Sequence, residues 1–337
     1  MKRQLLNVAR MIRLLIVWLA SRNRLLGRVF FLFEPSFDRE FEFTLRGRHE
    51  ALSSRYRLDH SNANVRRCVH RLEKGLFHRD RRAAFGKDVL TELAHEISKL
   101  DLLEEGADAN EVDWAIATLT SYRPHAYDPA LVDDCLYRLE RFRGFGPEPE
   151  SLRRPDTKVS PDFEVLRRLY YKRESVRFFT DRPVDPELVV QAVAIAKEAP
   201  SACNRQPFHL HLLTDTRDIE FVGGLAPGTA GFLNNIPVLG VLIGHASAFR
   251  FTRDRHLIYT DGGLFLGHLL PALTALSLDT CVLNWTPDWT NDRKAVDYLG
   301  LDMSKTIVCL LAIGYRDDTA SPISTKKTND NLLRTGA

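Results

Sequence analysis

Ala199-Pro200-Ser201-Ala202-Cys203-Asn204-Arg205-Gln206-Pro207-Phe208 joins two segments of different character. Upstream, Asp185-Pro186 opens a helix, with a carboxylate to cap it and a proline at the first helical position, and Leu188, Val189, Ala192, Val193 and Ala196 form its buried stripe. That helix stops at Ala199-Pro200. Downstream, residues 208–213 are an apolar run of strand length. The alternation continues: residues 236–243, 280–283 and 306–313 read as strands. Between them, Thr260-Asp261 caps a long helix to about residue 276 in which Pro271 predicts a kink, and Thr290 opens a helix ended by Gly300. Strands separated by helices over this region mean α/β or α+β.

Ahead of this region the pattern is helical. Ser61 is placed to cap a helix to about Gly75, on which Val65, Val69 and Leu72 recur at helical spacing, and residues 86–103, 111–119 and 131–142 follow suit. Residues 22–56 are rich in Arg and Phe without clean periodicity, and no element is assigned to them. A Pro/Gly-rich charged stretch begins at Gly144 and marks a linker. The expected organisation is a helical region over 1–145, a linker over 146–164 and a second domain over 165–337.

The chain has 337 residues, 44% hydrophobic and 27% charged, which excludes disorder, collagen and a disulfide scaffold. Its five cysteines (Cys68, Cys135, Cys203, Cys281, Cys309) are odd in number and far apart, as expected of reduced thiols in a cytoplasmic protein. The net charge of +3 hides an asymmetry: residues 1–82 hold 19 Lys and Arg against 8 Asp and Glu, whereas residues 83–160 hold 9 against 16. A basic front end can meet nucleic acid, anionic lipid or an acidic surface, or the two opposite stretches can pair with each other. No recognised nucleic-acid module accompanies it, and no nucleic-acid partner is expected. The apolar run at residues 14–20 is far shorter than the roughly 20 residues of a spanning helix. What remains is a basic amphipathic helix over about 3–21, packed on its own protein or a partner subunit, or docked peripherally on a membrane through residues 1–21.

The fingerprints of Rossmann dehydrogenases, P-loop NTPases, zincins and α/β-hydrolases are absent. His209 and His211 alternate along a strand without a third ligand at metal spacing, and no metal site is expected. Two segments carry unusual polar residues. In an extended chain Arg173, Ser175 and Arg177 fall on one side, either as a solvated strand or as a phosphate receptor, because guanidinium forks bind phosphate oxygens bidentately. The loop with Ser201, Asn204 and Gln206 is either a turn or a set of groups that addresses the polar edge of a flat heterocycle.

Together these segments resemble the FMN-dependent nitroreductase superfamily. Arg173-Glu-Ser-Val-Arg-Phe-Phe, then Ala199-Pro-Ser-Ala-Cys-Asn-Arg-Gln-Pro-Phe, then Asp261-Gly-Gly263 and Ile313-Gly-Tyr315, match the family's motifs in order. The resemblance covers about residues 165–335. A looser similarity links His70-Arg-Leu-Glu-Lys-Gly-Leu76 and Phe85-Gly86 to the extensions of nitroreductase-like proteins associated with polysaccharide synthesis.

The resemblance implies an α+β sandwich, a mixed sheet flanked by helices, forming a homodimer with FMN at the interface. Arg173, Glu174, Ser175 and Arg177 then fall at the ribityl phosphate and pyrimidine edge. Pro200, Ser201, Asn204 and Gln206 line the ring, partly from the other subunit, and Leu283, Asn284 and Trp285 approach the flavin edge. Lys326 stands where the family has a C-terminal Arg. The implied activity is transfer of a hydride from NADH or NADPH through FMN to a small electron-poor acceptor, with no catalytic side chain of its own because the cofactor carries the chemistry. The same motifs occur in flavin-modifying and reductive-dehalogenase-like enzymes, and a non-catalytic flavin-binding protein of a polysaccharide assembly is the remaining alternative. Glu174 departs from the family pattern by placing a negative charge beside the expected phosphate site. The short interval from the Phe208 strand to Asp261 leaves little room for a lid, so the helical region is a candidate roof.

Overall fold

Aspartates start half of the α-helices among the described residues. The side chains of Asp108, Asp128, Asp162, Asp185, Asp215 and Asp288 each accept an N–H from the first turn that follows, which satisfies donors a helix start leaves bare. The computed structural model describes residues 2–52, 63–80, 82–100, 108–143, 162–286 and 288–319. Ser61, most of the expected linker and Lys326 lie outside the described residues.

The first helices are α1 (Lys2–Arg22), α2 (Arg24–Leu32) and α3 (Asp38–Leu52). They are followed by α4 (Ala63–Leu76), α5 (Lys87–Leu100), α6 (Ala109–Tyr122) and α7 (Pro129–Glu140). These last four enclose their own core, with Leu72, Leu93, Leu119, Tyr122 and Leu139 fully buried. Helix α3 does not join that bundle. It packs through Phe43 against Ala246, Phe249 and Ile258 of the α/β half.

The second half comprises α8 (Phe163–Lys172), α9 (Pro186–Ala196), β1 (Phe208–Leu213), α10 (Thr216–Leu225), β2 (Val238–His245), α11 (Leu257–Ala275), β3 (Asp279–Asn284), α12 (Trp289–Tyr298) and β4 (Lys305–Gly314). The strands form one sheet in the order β1-β2-β4-β3. Its two faces are both covered. Leu239, Val241 and Ile243 of β2 enter one core with α10 and α12, while Val238 and Leu242 enter the other with α9 and α11. This is the two-sided burial of a central strand, and it explains why β2 reads as a continuous apolar run.

Four sequence expectations change here. All three strand ladders are antiparallel, and the parallel component of the expected mixed sheet is confined among the described residues to one bridge, Ser175 with Thr280. Residues 22–56, left without an element, hold α2 and α3. Helix α11 starts at Leu257 and runs unbroken through Pro271, so Thr260-Asp261 lies within it and does not cap it. Helix α12 is capped by Asp288, whose side chain accepts the N–H of Asn291, two residues ahead of the expected Thr290.

Candidate functional site

Residues 173–177 leave α8 in extended form. Val176 turns into the core and donates its N–H to the Thr280 carbonyl at 3.0 Å, and Ser175 bridges the same residue. The strand period then sends Arg173, Ser175 and Arg177 to the opposite side, where Ser175 and Arg177 are exposed and Arg173 is half-buried. Neither guanidinium has a carboxylate partner among the described residues. Both lie close enough to the buried Cys281 to oppose its burial, which pushes the thiol pKa up. Glu174, on the other side, is held by Arg316 at 3.1 Å, and Arg316 also grips Asp279 at 2.8 Å. The negative charge that departs from the motif is thereby neutralised away from the arginine face.

The second segment is a loop held in an unusual shape. Cys203, Asn204 and Gln206 all have positive φ, between 47° and 54°, which costs a non-glycine residue about 1–2 kcal/mol each. Internal bonds account for part of that shape: Gln206 donates its N–H to Ser201 Oγ at 3.1 Å, and its amide donates to Asn204 Oδ1 at 3.1 Å. The rest comes from outside. Asp261, from α11, accepts the Ala202 N–H on Oδ2 at 2.9 Å, and burial pushes its carboxyl pKa up against that bond and the nearby Arg205. Arg66, from α4, donates Nε–H to the Asn204 carbonyl at 3.1 Å and a second N–H to the Arg205 carbonyl. Its remaining arm is paired with Glu111 at 2.9 Å, and both side chains are more than nine-tenths buried.

The third segment closes β3. Leu283 is buried, Asn284 is exposed with its amide 3.3 Å from Thr286 Oγ1, and Trp285 is buried with its indole N–H on Asp292 at 2.5 Å. Asp292 in turn receives Nε–H of Arg39 at 2.9 Å, and the other arms of Arg39 reach the carbonyls of Met303 and Lys305. Burial pushes the Asp292 carboxyl up, with Trp285 and Arg39 pulling the other way.

Residues 173–177 thus lie beside β3 at one sheet edge, and the 201–206 loop leads into β1 at the other edge. No hydrogen bond or ion pair joins these two segments among the described residues. Pro200 is exposed at the mouth of the loop. His209 pairs across to His245, with ring nitrogens 2.6 Å apart, and not with His211. Sequence reasoning missed Arg66, Arg39 and Asp292 as builders of the site and read Asp261 as a helix cap, whereas it holds the Ala202 N–H.

The match to a family model falls on this region. Residues 170–222, which contain both polar segments, match the Nitroreductase family. Over this region the chain is similar to the nitroreductase superfamily. A 4-nitrobenzoate reductase of Pseudomonas putida is 26% identical over 207 aligned residues, covering 48% of this chain and 89% of that protein. Solved structures similar to this domain include an FMN-dependent nitroreductase from Clostridium difficile, with 21% identity, TM-score 0.40 and coverage of 49% and 92% of the two chains. A nitroreductase family protein from Streptococcus pneumoniae gives 21% identity, TM-score 0.43 and coverage of 50% and 99%. The nitroreductase region leaves the helices ahead of α8 outside the family match.

Proposed function

We propose that the protein is an FMN-dependent oxidoreductase that passes a hydride from NADH or NADPH to a small electron-poor acceptor. The observation that carries this reading is the arginine face: two guanidiniums without carboxylate partners among the described residues flank a hydroxyl on a backbone pinned to β3. That donor set fits a phosphate and the acceptor edge of a pyrimidine. When bound, FMN supplies the chemistry by taking up a hydride at N5 and delivering it to the acceptor.

The chain's own residues bind and orient. Arg173 and Arg177 hold the phosphate, Ser175 and the loop side chains Ser201, Asn204 and Gln206 address the ring, and the backbone of Leu283, Asn284 and Trp285 borders its edge. Lys326 is assigned to the phosphate as the further cation. Glu174 acts at one remove, by occupying Arg316. Because the arginine face and the loop sit at opposite sheet edges, one complete site takes segments from two copies of the chain. The exposed face of α11 at Leu264 and His268, and the exposed Phe163, Leu166 and Tyr170 of α8, supply a surface for that dimer. The name of the Pseudomonas relative supports a nitroaromatic acceptor. Five free thiols suit a reducing compartment such as the cytoplasm.

Purified protein is expected to carry flavin absorbance that bleaches anaerobically with NADH or NADPH. Arg173→Ala is expected to weaken FMN binding at least about tenfold, the order of a lost charge-assisted contact, read by quenching of FMN fluorescence. A wild-type protein that refuses added FMN overturns the reading, and unchanged affinity in Arg173→Ala removes the assignment of the phosphate site.

A further inference from the structure

Residues 1–33 contain seven Lys and Arg and no Asp or Glu. Elsewhere in the basic front the charges are matched internally, as in Arg66 with Glu111 and Arg67 with Glu92. Arg13, Arg22, Arg24 and Arg28 have no ion-pair partner among the described residues. These cations border an apolar surface of unusual shape. Every apolar residue from Met11 to Leu19 is at least 43% exposed, and Leu14 to Leu19 are six consecutive apolar residues. At 3.6 residues per turn such a run covers all sides of the helix.

Its occupant follows from that geometry. A protein partner, or a second copy, buries one stripe of a helix roughly 100° wide and leaves the rest wet. A second copy also sets two such cationic segments against each other. Lipid surrounds a helix on every side, and anionic headgroups supply the missing counter-charge. The run Leu14 to Leu19 spans about 9 Å, a third of the roughly 30 Å hydrocarbon core, so it enters a single leaflet. In agreement, no helix among the described residues is long and apolar enough to cross a membrane. The Arg22 guanidinium lies 4.4 Å over the Trp18 ring, an amphipathic pair suited to the headgroup boundary.

Helix α2 extends the same surface. Leu25, Val29 and Leu32 are exposed, and Phe33 is 82% exposed. From there a chain of rings continues, Phe31 to Phe37 at 4.6 Å and Phe37 to Phe41 at 6.2 Å. It leads into an open groove of about 750 Å³ lined by Phe31, Phe37, Phe41, Leu45, Thr252 and Arg255, between α2 and α3 and the α/β half.

We propose that α1 and α2 dock the protein on an anionic phospholipid bilayer, with Leu14 to Leu19 in one leaflet and Arg13, Arg22, Arg24 and Arg28 at its surface. This docking does not rest on the flavin reading. The test is flotation of the full chain with phosphatidylcholine vesicles, with and without one-third phosphatidylglycerol. The expected result is co-flotation with the anionic vesicles, about tenfold weaker with the neutral ones and weaker again at high salt. Ile16→Asp combined with Leu19→Asp, on a surface that touches no core, is expected to reduce flotation about tenfold. A vesicle-dependent blue shift of tryptophan emission is expected in the wild type and absent in Trp18→Phe. Wild-type protein that stays at the bottom with anionic vesicles overturns the proposal, as does a double variant that floats like the wild type. A lipid-free oligomer that the double variant dissociates, without vesicle binding, assigns the surface to a second copy and overturns it equally.

Discussion

Arg66 places one side chain in three relationships: it pairs with Glu111 and donates to the carbonyls of two loop residues whose neighbours have positive φ. Truncation leaves a buried carboxylate and two carbonyls without their donor. Arg66→Ala is therefore expected to cost about 3–5 kcal/mol, the range for breaking a buried pair, read as a fall in the urea midpoint. Arg66→Lys is expected to recover only part of this, because an ammonium can meet the carboxylate or the loop but cannot span both as a planar fork does. If Arg66→Ala unfolds at the wild-type midpoint, the loop is held by its internal bonds and by Asp261 alone. These contacts were not legible in the sequence. The Arg66 partner carbonyl is 138 residues away and the Arg39 partner carboxylate 253 residues away, and among so many arginines nothing local marks these two as buried. By contrast, Arg173, Ser175 and Arg177 were legible, because strand alternation alone puts them on one side and the structure holds them so.

Helix α3 meets the α/β half through a glycine. A Cβ built at Gly47 would lie 2.1 Å from Ala246 Cβ and under 3.0 Å from its backbone, so the two chains touch with no room for a methyl group. In an exposed helix interior Gly→Ala gains about 0.5–1 kcal/mol. Here the sign is expected to reverse: Gly47→Ala should lose about 1–3 kcal/mol through overpacking, with helix content by circular dichroism unchanged at low temperature. A stabilised variant would show that α3 sits further from residue 246. The same packing explains why α3 escaped the sequence reading. Only Arg39, Phe43, Gly47 and Ala51 are buried on it, a stripe of four-residue spacing in which one member is an arginine and one a glycine. Periodicity of apolar residues finds a helix only where the buried face is apolar, as on α9, α4 and α5. Asp261 shows the converse error. Its carboxylate looks like a helix cap, but it is used to hold the Ala202 N–H, and α11 begins a turn earlier. The central strands β2 and β4 were legible because their runs of apolar residues match two covered faces, whereas β1 alternates with His209 and His211 exposed.

At the scale of the whole molecule, the opposed charges of the first 160 residues are partly spent on each other, and one carboxylate joins all the parts. Glu92 of α5 meets Arg67 of α4 at 2.5 Å, Arg71 of α4 at 4.0 Å and Arg250 of the α/β half. Burial pushes its pKa up, but the hydrogen bond and charge of Arg67, together with Arg250, outweigh burial and hold it below the ordinary carboxylate value. A carboxyl depressed in the folded state contributes stability above its unfolded pKa, and that contribution is lost as pH falls through the folded one. Asp261 and Asp292 act in the opposite sense, since burial holds both above their ordinary values and acid relieves the cost of their charge. The acid limb of the wild-type stability curve therefore mixes both signs, and Glu92→Gln separates them. The variant is expected to lose roughly 2 kcal/mol at pH 7, between the values for exposed and buried pairs, with the gap to wild type closing as pH falls below about 4. Urea midpoints of both proteins across that range check it. A gap that stays constant with pH would mean that the glutamate supports the junction by packing, and that the charge asymmetry does not tie the helical bundle to the α/β half.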